Sequence, residues 1–137
     1  MPSILSLEAQ QALLELVFSR ADSLNGFWNL YIAVSLGLLG MMASAKPFTE
    51  MKGIKLMLTV GFTAFAYSNY DVISATNEQR AELLRLLAGS IYLPAAQHAG
   101  PPTKEQLMLF HGVLDALVIS MVWFVPWHRA TKPERAA

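Results

Sequence analysis

The residues best suited to proton or ion chemistry lie in a stretch that is otherwise apolar. Between Gln106 and His128 the only Asp, Glu, Lys or Arg is Asp115, and His111 precedes it by four residues. This spacing puts both side chains on one face of a helix, where an imidazole and a carboxylate can share a proton. The pair His111 and Asp115 is therefore the predicted binding site for a proton or small cation.

Polar side chains also recur along two other apolar segments, residues 24–45 and 53–73. They fall at spacings close to one helical turn, which puts them on one side of each helix. A polar side chain that faces lipid is unfavourable, so such a stripe should face a cavity or a partner. The predicted cavity-lining residues are Asn25, Asn29, Thr63, Tyr67 and Asp71.

The helices that position these residues follow from composition and length. Of the 137 residues, 54% are hydrophobic and 15% are charged, whereas a soluble domain carries about a quarter charged residues. A helix needs about 20 apolar residues to cross a bilayer, and three segments are suited to this: 24–45, 53–73 and 106–127. The predicted fold is an all-α membrane protein with three transmembrane helices; a soluble helical bundle is the alternative.

The rest of this single membrane domain is assigned segment by segment. Residues 4–22 carry apolar and charged side chains at helical spacing, which predicts an N-terminal amphipathic helix. The second transmembrane helix meets no strong helix breaker before about residue 88, so it is predicted to extend outside the membrane. Pro and Gly residues mark 89–103 as an outer loop. Residues 128–137 are predicted to be a cytoplasmic tail.

The distribution of Lys and Arg predicts the orientation, because cytoplasmic loops collect these residues. The first loop and the tail together hold six, against four in longer segments on the other side. The N-terminus is therefore predicted outside and the C-terminus in the cytoplasm. Aromatic residues near the outer helix ends, including Trp28, Tyr31 and Tyr70, are assigned to the headgroup level. The six cytoplasmic residues are Lys46, Lys52, Lys55, Arg129, Lys132 and Arg135.

This orientation gives the membrane segments a polar outer half and an apolar inner half. Asp115 lies about 13 Å along its helix from the outer end, near the bilayer midplane. The asymmetry predicts a cavity entered from outside, with His111 and Asp115 at its floor. In the alternative interpretation these side chains only hold the helices together, through contacts that contribute about 0.6 to 2 kcal/mol each.

Small residues form rows at spacings that permit close approach of helices. They are predicted to mediate helix packing, within one chain or between protomers. The residues are Gly37, Gly40, Gly112, Ala116 and Ser120.

The first functional hypothesis is an oligomeric membrane protein that binds, and in an assembly conducts, a proton or small cation. Three helices are few for enclosing a path, so several protomers or a partner would be needed. The second hypothesis is a non-catalytic accessory or anchor subunit of a larger membrane complex. The chain also resembles holins in small size, three spans and a basic tail, a likeness of architecture that rests on no motif.

Other classes of function find little support in the sequence. A membrane enzyme could use His111 and Asp115 as acid and base, but no nucleophile or metal set accompanies them. There is no cysteine, and the three histidines are too scattered for a metal site. No phosphate-binding loop, dinucleotide motif or basic aromatic patch for nucleic acid occurs. The expected partners are therefore the lipid bilayer and other copies or subunits, and no cofactor is indicated.

Overall fold

The computed structural model describes residues 6–44, 51–98 and 100–125. Within these ranges the chain forms three long helices and one short helix, with no strand. They are α1 (Leu7–Ser44), α2 (Lys52–Leu86), α3 (Leu93–Gln97) and α4 (Lys104–Phe124). The predicted all-α fold is confirmed for the described residues. The predicted tail, residues 128–137, lies outside them, together with Lys46 in the first loop.

Two helices, α1 and α4, are long and apolar enough to cross a membrane. In the most apolar stretch of each, only 22% of the residues are buried, whereas the core helix of a soluble protein is mostly buried. Helix α2 is long enough but does not meet the same criterion of hydropathy and charge, because polar residues interrupt its predicted span at intervals of about four residues.

Helix α1 is a single helix of 38 residues, about 57 Å long. From Leu7 to Ser44, the described parts of the predicted amphipathic segment and of the first predicted span thus form one continuous element. The join carries no Pro, and Asp22 and Ser23 stay helical. The N-terminal part of α1 therefore continues the predicted span in the same direction.

Helices α1 and α2 form a long antiparallel hairpin, and their contacts follow a seven-residue spacing. On α1 the buried row is Val17, Leu24, Tyr31 and Leu38; on α2 it is Ala66, Ile73 and Arg80, and it continues to Leu87 directly after the helix end. Residues that repeat every seven positions stay on one face when two helices wind around each other, as in coiled coils. We call these two rows the hairpin seam.

The outer end of the hairpin is covered by residues that follow α2. Helix α2 ends at Leu86, close to the predicted limit near residue 88, and Gly89 adopts a φ of +85°, which favours glycine. The predicted loop 89–103 is not entirely loop, because it contains α3. There Ala96 packs with Val17 and Leu87 in a small apolar cluster.

Helix α4 begins at a capping box that defines its N-terminus. The backbone N–H of Gln106 donates to the Thr103 hydroxyl at 3.2 Å, and the backbone N–H of Thr103 donates to the Gln106 side-chain oxygen at 3.1 Å. The helix starts two residues before the predicted span 106–127 and ends at Phe124. Residues 126 and 127 lie outside the described chain.

Apolar side chains cover much of the surface, while polar side chains occupy interior positions. Met57, Leu109 and Leu36 are 75%, 69% and 63% exposed, whereas His111 is 1% exposed and Asn69 is 6% exposed. A protein in water normally shows the reverse preference for its polar groups. The surface of this bundle is therefore suited to an apolar surrounding.

Candidate functional site

The structure brings His111 and Asp115 into direct contact in the interior of the bundle. The Nδ1 atom of His111 lies 2.9 Å from Oδ2 of Asp115, one helical turn along α4. The imidazole is buried, and the carboxylate is about a quarter exposed. The two residues can therefore share one proton without leaving their places in the helix.

Tyr31 completes this cluster from α1. Its hydroxyl donates to Oδ1 of Asp115 at 2.7 Å, so both carboxylate oxygens have a hydrogen-bonding partner. Sequence analysis placed Tyr31 at the headgroup level, whereas the structure buries it at 3% exposure. The signal that could have found it is the seven-residue row on α1, which includes position 31.

Aromatic rings surround the imidazole of His111. The ring centroids of Tyr31, Tyr70 and Trp28 lie 4.7, 5.6 and 5.7 Å from that of His111. Together these rings enclose the imidazole, which is 1% exposed. Trp28 and Tyr70, assigned to the headgroup level from sequence, belong to this site.

The second ring nitrogen of His111 is also buried. Its Nε2 atom, like Nδ2 of Asn69, has no hydrogen-bond partner within the described chain. Buried polar atoms without a partner are uncommon and costly in folded proteins. With Nδ1 engaged by Asp115, the two ring nitrogens of His111 therefore differ in their surroundings.

A cavity of about 240 Å³ lies beside the pair, between α2 and α4. Asp115 and His111 line it on one side, and Thr63, Tyr67 and Tyr70 line it on the other. Thr63 and Tyr67 therefore occupy the kind of position predicted for them. The Thr63 hydroxyl, however, donates to the backbone oxygen of Thr59 within its own helix, at 2.8 Å.

The other predicted lining residues lie elsewhere. Asn29 and Asp71 are exposed and line neither this cavity nor the one lined by Asn25, so their role as lining residues stays a prediction. Residues four positions apart are separated by about 400° around the helix axis. A row of such residues therefore turns by about 40° around the helix with each step. By Asp71 the stripe has turned away from α4. Asn25 lines the outer cavity instead.

The predicted packing residues do not make close contacts inside the described chain. All five are exposed, and a methyl group added at any of the glycines among them would meet no neighbouring atom within 4 Å. These rows are available to another chain. The residues are Gly37, Gly40, Gly112, Ala116 and Ser120.

An apolar layer closes the bundle on the inner side of the cluster. Met42, Phe62 and Val122 are at most 4% exposed and pack together with Leu38 and Val118. Within the part of the chain that the structure describes, no group of three or more His, Cys, Asp or Glu residues could hold a metal ion. Among the described residues, the side chains packed on this side of the pair are thus mainly apolar.

Arg80 and Asn77 are buried polar residues that sequence analysis did not select. Arginine is almost never fully buried unless it is paired, but the structure shows Arg80 7% exposed. It occupies a position of the hairpin seam, seven residues after Ile73, which is why it faces α1. Its Nη1 atom donates to the Asn77 side-chain oxygen at 3.2 Å.

Comparisons with protein-family models, curated proteins and solved structures return no match, so the function must be inferred from the site itself.

Replacing Tyr31 with Phe tests the cluster. The variant loses the hydrogen bond to Asp115. Removing a donor from a buried carboxylate destabilises the folded protein by about 1 to 3 kcal/mol. We expect the free energy of unfolding, measured by circular dichroism in detergent during titration with dodecyl sulfate, to fall by this amount. Tyr67→Phe is the matched control, because the Tyr67 side chain is 73% exposed. Equal effects in both variants would contradict the assignment of Tyr31.

Proposed function

We propose that this chain is an integral membrane protein with three transmembrane helices that binds a proton at the pair of His111 and Asp115. The observation that carries the proposal is the contact of a buried imidazole with a carboxylate inside helices whose outer surface is apolar. Ionisable groups at such a depth are costly and are a mark of functional sites in membrane proteins.

The third span is supported by the levels at which α2 meets its neighbours. Near the outer end, Ile73 packs with Leu24 of α1 and Leu107 of α4. Near the inner end, the Trp123 indole donates to the Thr59 hydroxyl at 3.0 Å. The part of α2 between these contacts runs beside the two apolar helices, so a bilayer that encloses them also encloses α2.

A proton suits the site better than a metal ion or an alkali cation does. Hard cations such as Ca²⁺ and Mg²⁺ take about six or more oxygen ligands. Here both oxygens of Asp115 are already engaged by Tyr31 and His111. A proton needs one nitrogen or oxygen atom, and the pair supplies several.

Access from the outer side is supported by the distribution of polar groups. Asn69, Asn77 and Arg80 are buried in the outer part of the bundle, whereas the layer around Met42 and Phe62 is apolar. A single chain therefore binds a proton without offering a path through the membrane. Conduction would require several protomers.

Assembly with other chains is favoured by the exposed small-residue rows. Gly112 and Ala116 face outward on α4, and Gly37 faces outward on α1. Small residues on a lipid-facing surface let another helix approach closely. We propose a homo-oligomer; an accessory subunit of a larger complex is the second candidate. Purification in mild detergent distinguishes them, since a stable assembly of this chain alone counts against an obligate accessory role.

The orientation can be tested directly, because the chain has no native cysteine. Single cysteines are introduced at three exposed positions: Gln97 at the outer end, Ser44 at the inner end and Val60 within the proposed second span. With an impermeant maleimide on intact cells we expect labelling at position 97 only. Permeabilised cells should add position 44, and position 60 should stay unlabelled. Labelling at position 60 would contradict the three-span arrangement.

Proton binding can be measured by potentiometric titration of purified protein in which His98 and His128 are replaced by Gln. In the range from about pH 5.5 to 9 exposed carboxyl groups do not titrate, and the N-terminal amine contributes equally to every variant; we expect the pair to add the uptake of one proton. Asp115→Asn removes the carboxylate that stabilises this proton, so the uptake should be smaller than in the protein with Asp115. Asp71→Asn, which changes an exposed carboxylate, should leave uptake unchanged. Full uptake in the Asp115 variant would reject the proposal.

A further inference from the structure

A second cavity, of about 400 Å³, lies at the outer end of the bundle, between α1, α2 and the start of α4. Polar side chains from three elements line it: Asn25 of α1, Arg80 and Asn77 of α2, and Gln106 of α4. Trp28 and Phe110 form part of its apolar wall. The cavity therefore combines a polar part and an apolar part, which is typical of sites for small or amphipathic ligands.

Arg80 gives this cavity a positive charge. It is the one charged residue among the described residues that line the cavity. Its side chain is held on the hairpin seam at 7% exposure, and one nitrogen is fixed by Asn77. A guanidinium is planar and offers five N–H donors, in a geometry that fits two oxygens of a phosphate or carboxylate. Fixing it in place reduces the entropy lost on binding such a group.

One pair of opposite charges, Glu78 and Lys104, borders the neighbouring surface. Glu78 and Lys104 lie beside the cavity rather than in its lining, and their side chains pair with each other at 3.5 Å. Both are about two-thirds exposed. Burial lowers the pKa of Arg80, but an arginine pKa starts so high that the side chain stays charged.

The level of the cavity, which rests on the proposed three-span arrangement, identifies the source of the anion. Its lining includes Leu24 and Leu107, close to the outer ends of the first and third spans. This is the depth of lipid headgroups. Phe110 lines the cavity one turn further inward and is 57% exposed, so it offers apolar surface to an acyl chain at the same site.

We propose that this cavity binds the phosphate group of an outer-leaflet phospholipid, with Arg80 as the charged ligand-binding residue and Asn25 and Asn77 as amide partners. The acyl chains of the lipid pack along Phe110, on the lipid-facing surface of α4. The site is separate from the pair of His111 and Asp115, and no proton transfer is assigned to it.

Trp28 provides a signal for binding, because its ring lines the cavity. In a variant with Trp123→Phe and Trp127→Phe, Trp28 is the remaining tryptophan of the three in the chain. This protein, in neutral detergent, is titrated with short-chain phosphatidylglycerol while the emission of Trp28 is recorded. We expect a saturable change in emission.

Arg80→Gln should weaken the affinity for the lipid by about tenfold or more, because a charge-assisted hydrogen bond contributes about that factor to a binding constant. Arg85→Gln is the matched control, since it removes the same charge from an exposed position on the same helix. Ala21→Leu fills the cavity from α1 while leaving Arg80 in place, and it should also weaken binding. It keeps the test valid if the Arg80 variant does not fold.

Inorganic phosphate serves as the probe for a free anion. It should bind much more weakly than the lipid, because it makes no contact with Phe110; equal affinity would overturn the lipid assignment. Unchanged lipid binding in both the Arg80 and Ala21 variants, or an equal loss in the Arg85 variant, would overturn the site itself. Cysteine labelling and proton uptake are measured on the same proteins, so a failure of the three-span arrangement is recognised separately.

Discussion

The bundle is organised around one costly group, the carboxylate of Asp115 in the interior of apolar helices. Such a group is tolerated only when its oxygens are engaged by donors or when it holds a proton. Here Tyr31 and His111 engage one oxygen each, from α1 and α4. The positions of these helices are thereby linked, since sliding one along the other would take the Tyr31 hydroxyl away from Oδ1 of the carboxylate.

The rest of the structure supports this contact. The hairpin seam fixes the register of α1 against α2 and so places Tyr31, and the rings of Trp28 and Tyr70 close the space around His111. Inward of the cluster the side chains are apolar; outward of it, buried polar side chains lead to Arg80. In our proposal the same asymmetry separates two tasks, proton binding near the midplane and phosphate binding at the headgroup level.

Much of this could be predicted from sequence, and the part that could not has a physical reason. The contact of His111 with Asp115 follows from a single four-residue step, which a helix preserves. Repeated four-residue steps rotate around the helix, so Asp71 lies outside the lining that Thr63 and Tyr67 share, whereas Tyr31 and Arg80 follow the seven-residue repeat of the seam. Composition alone also cannot distinguish an aromatic ring at a headgroup from one that encloses a site, as Trp28 shows. The sequence also shows the rows of small residues, but only the structure shows that they face outward.

The most direct measurement is solid-state ¹⁵N magnetic resonance of the His111 ring in lipid bilayers, with His98 and His128 replaced by Gln. We expect the Nδ1 signal to report a hydrogen bond to a carboxylate, and both ring signals to change between about pH 5 and about pH 9 as the pair takes up its proton. Asp115→Asn should abolish the hydrogen-bonded signal. Ring signals that do not change with pH and are the same in the Asp115 variant would contradict proton binding at this pair.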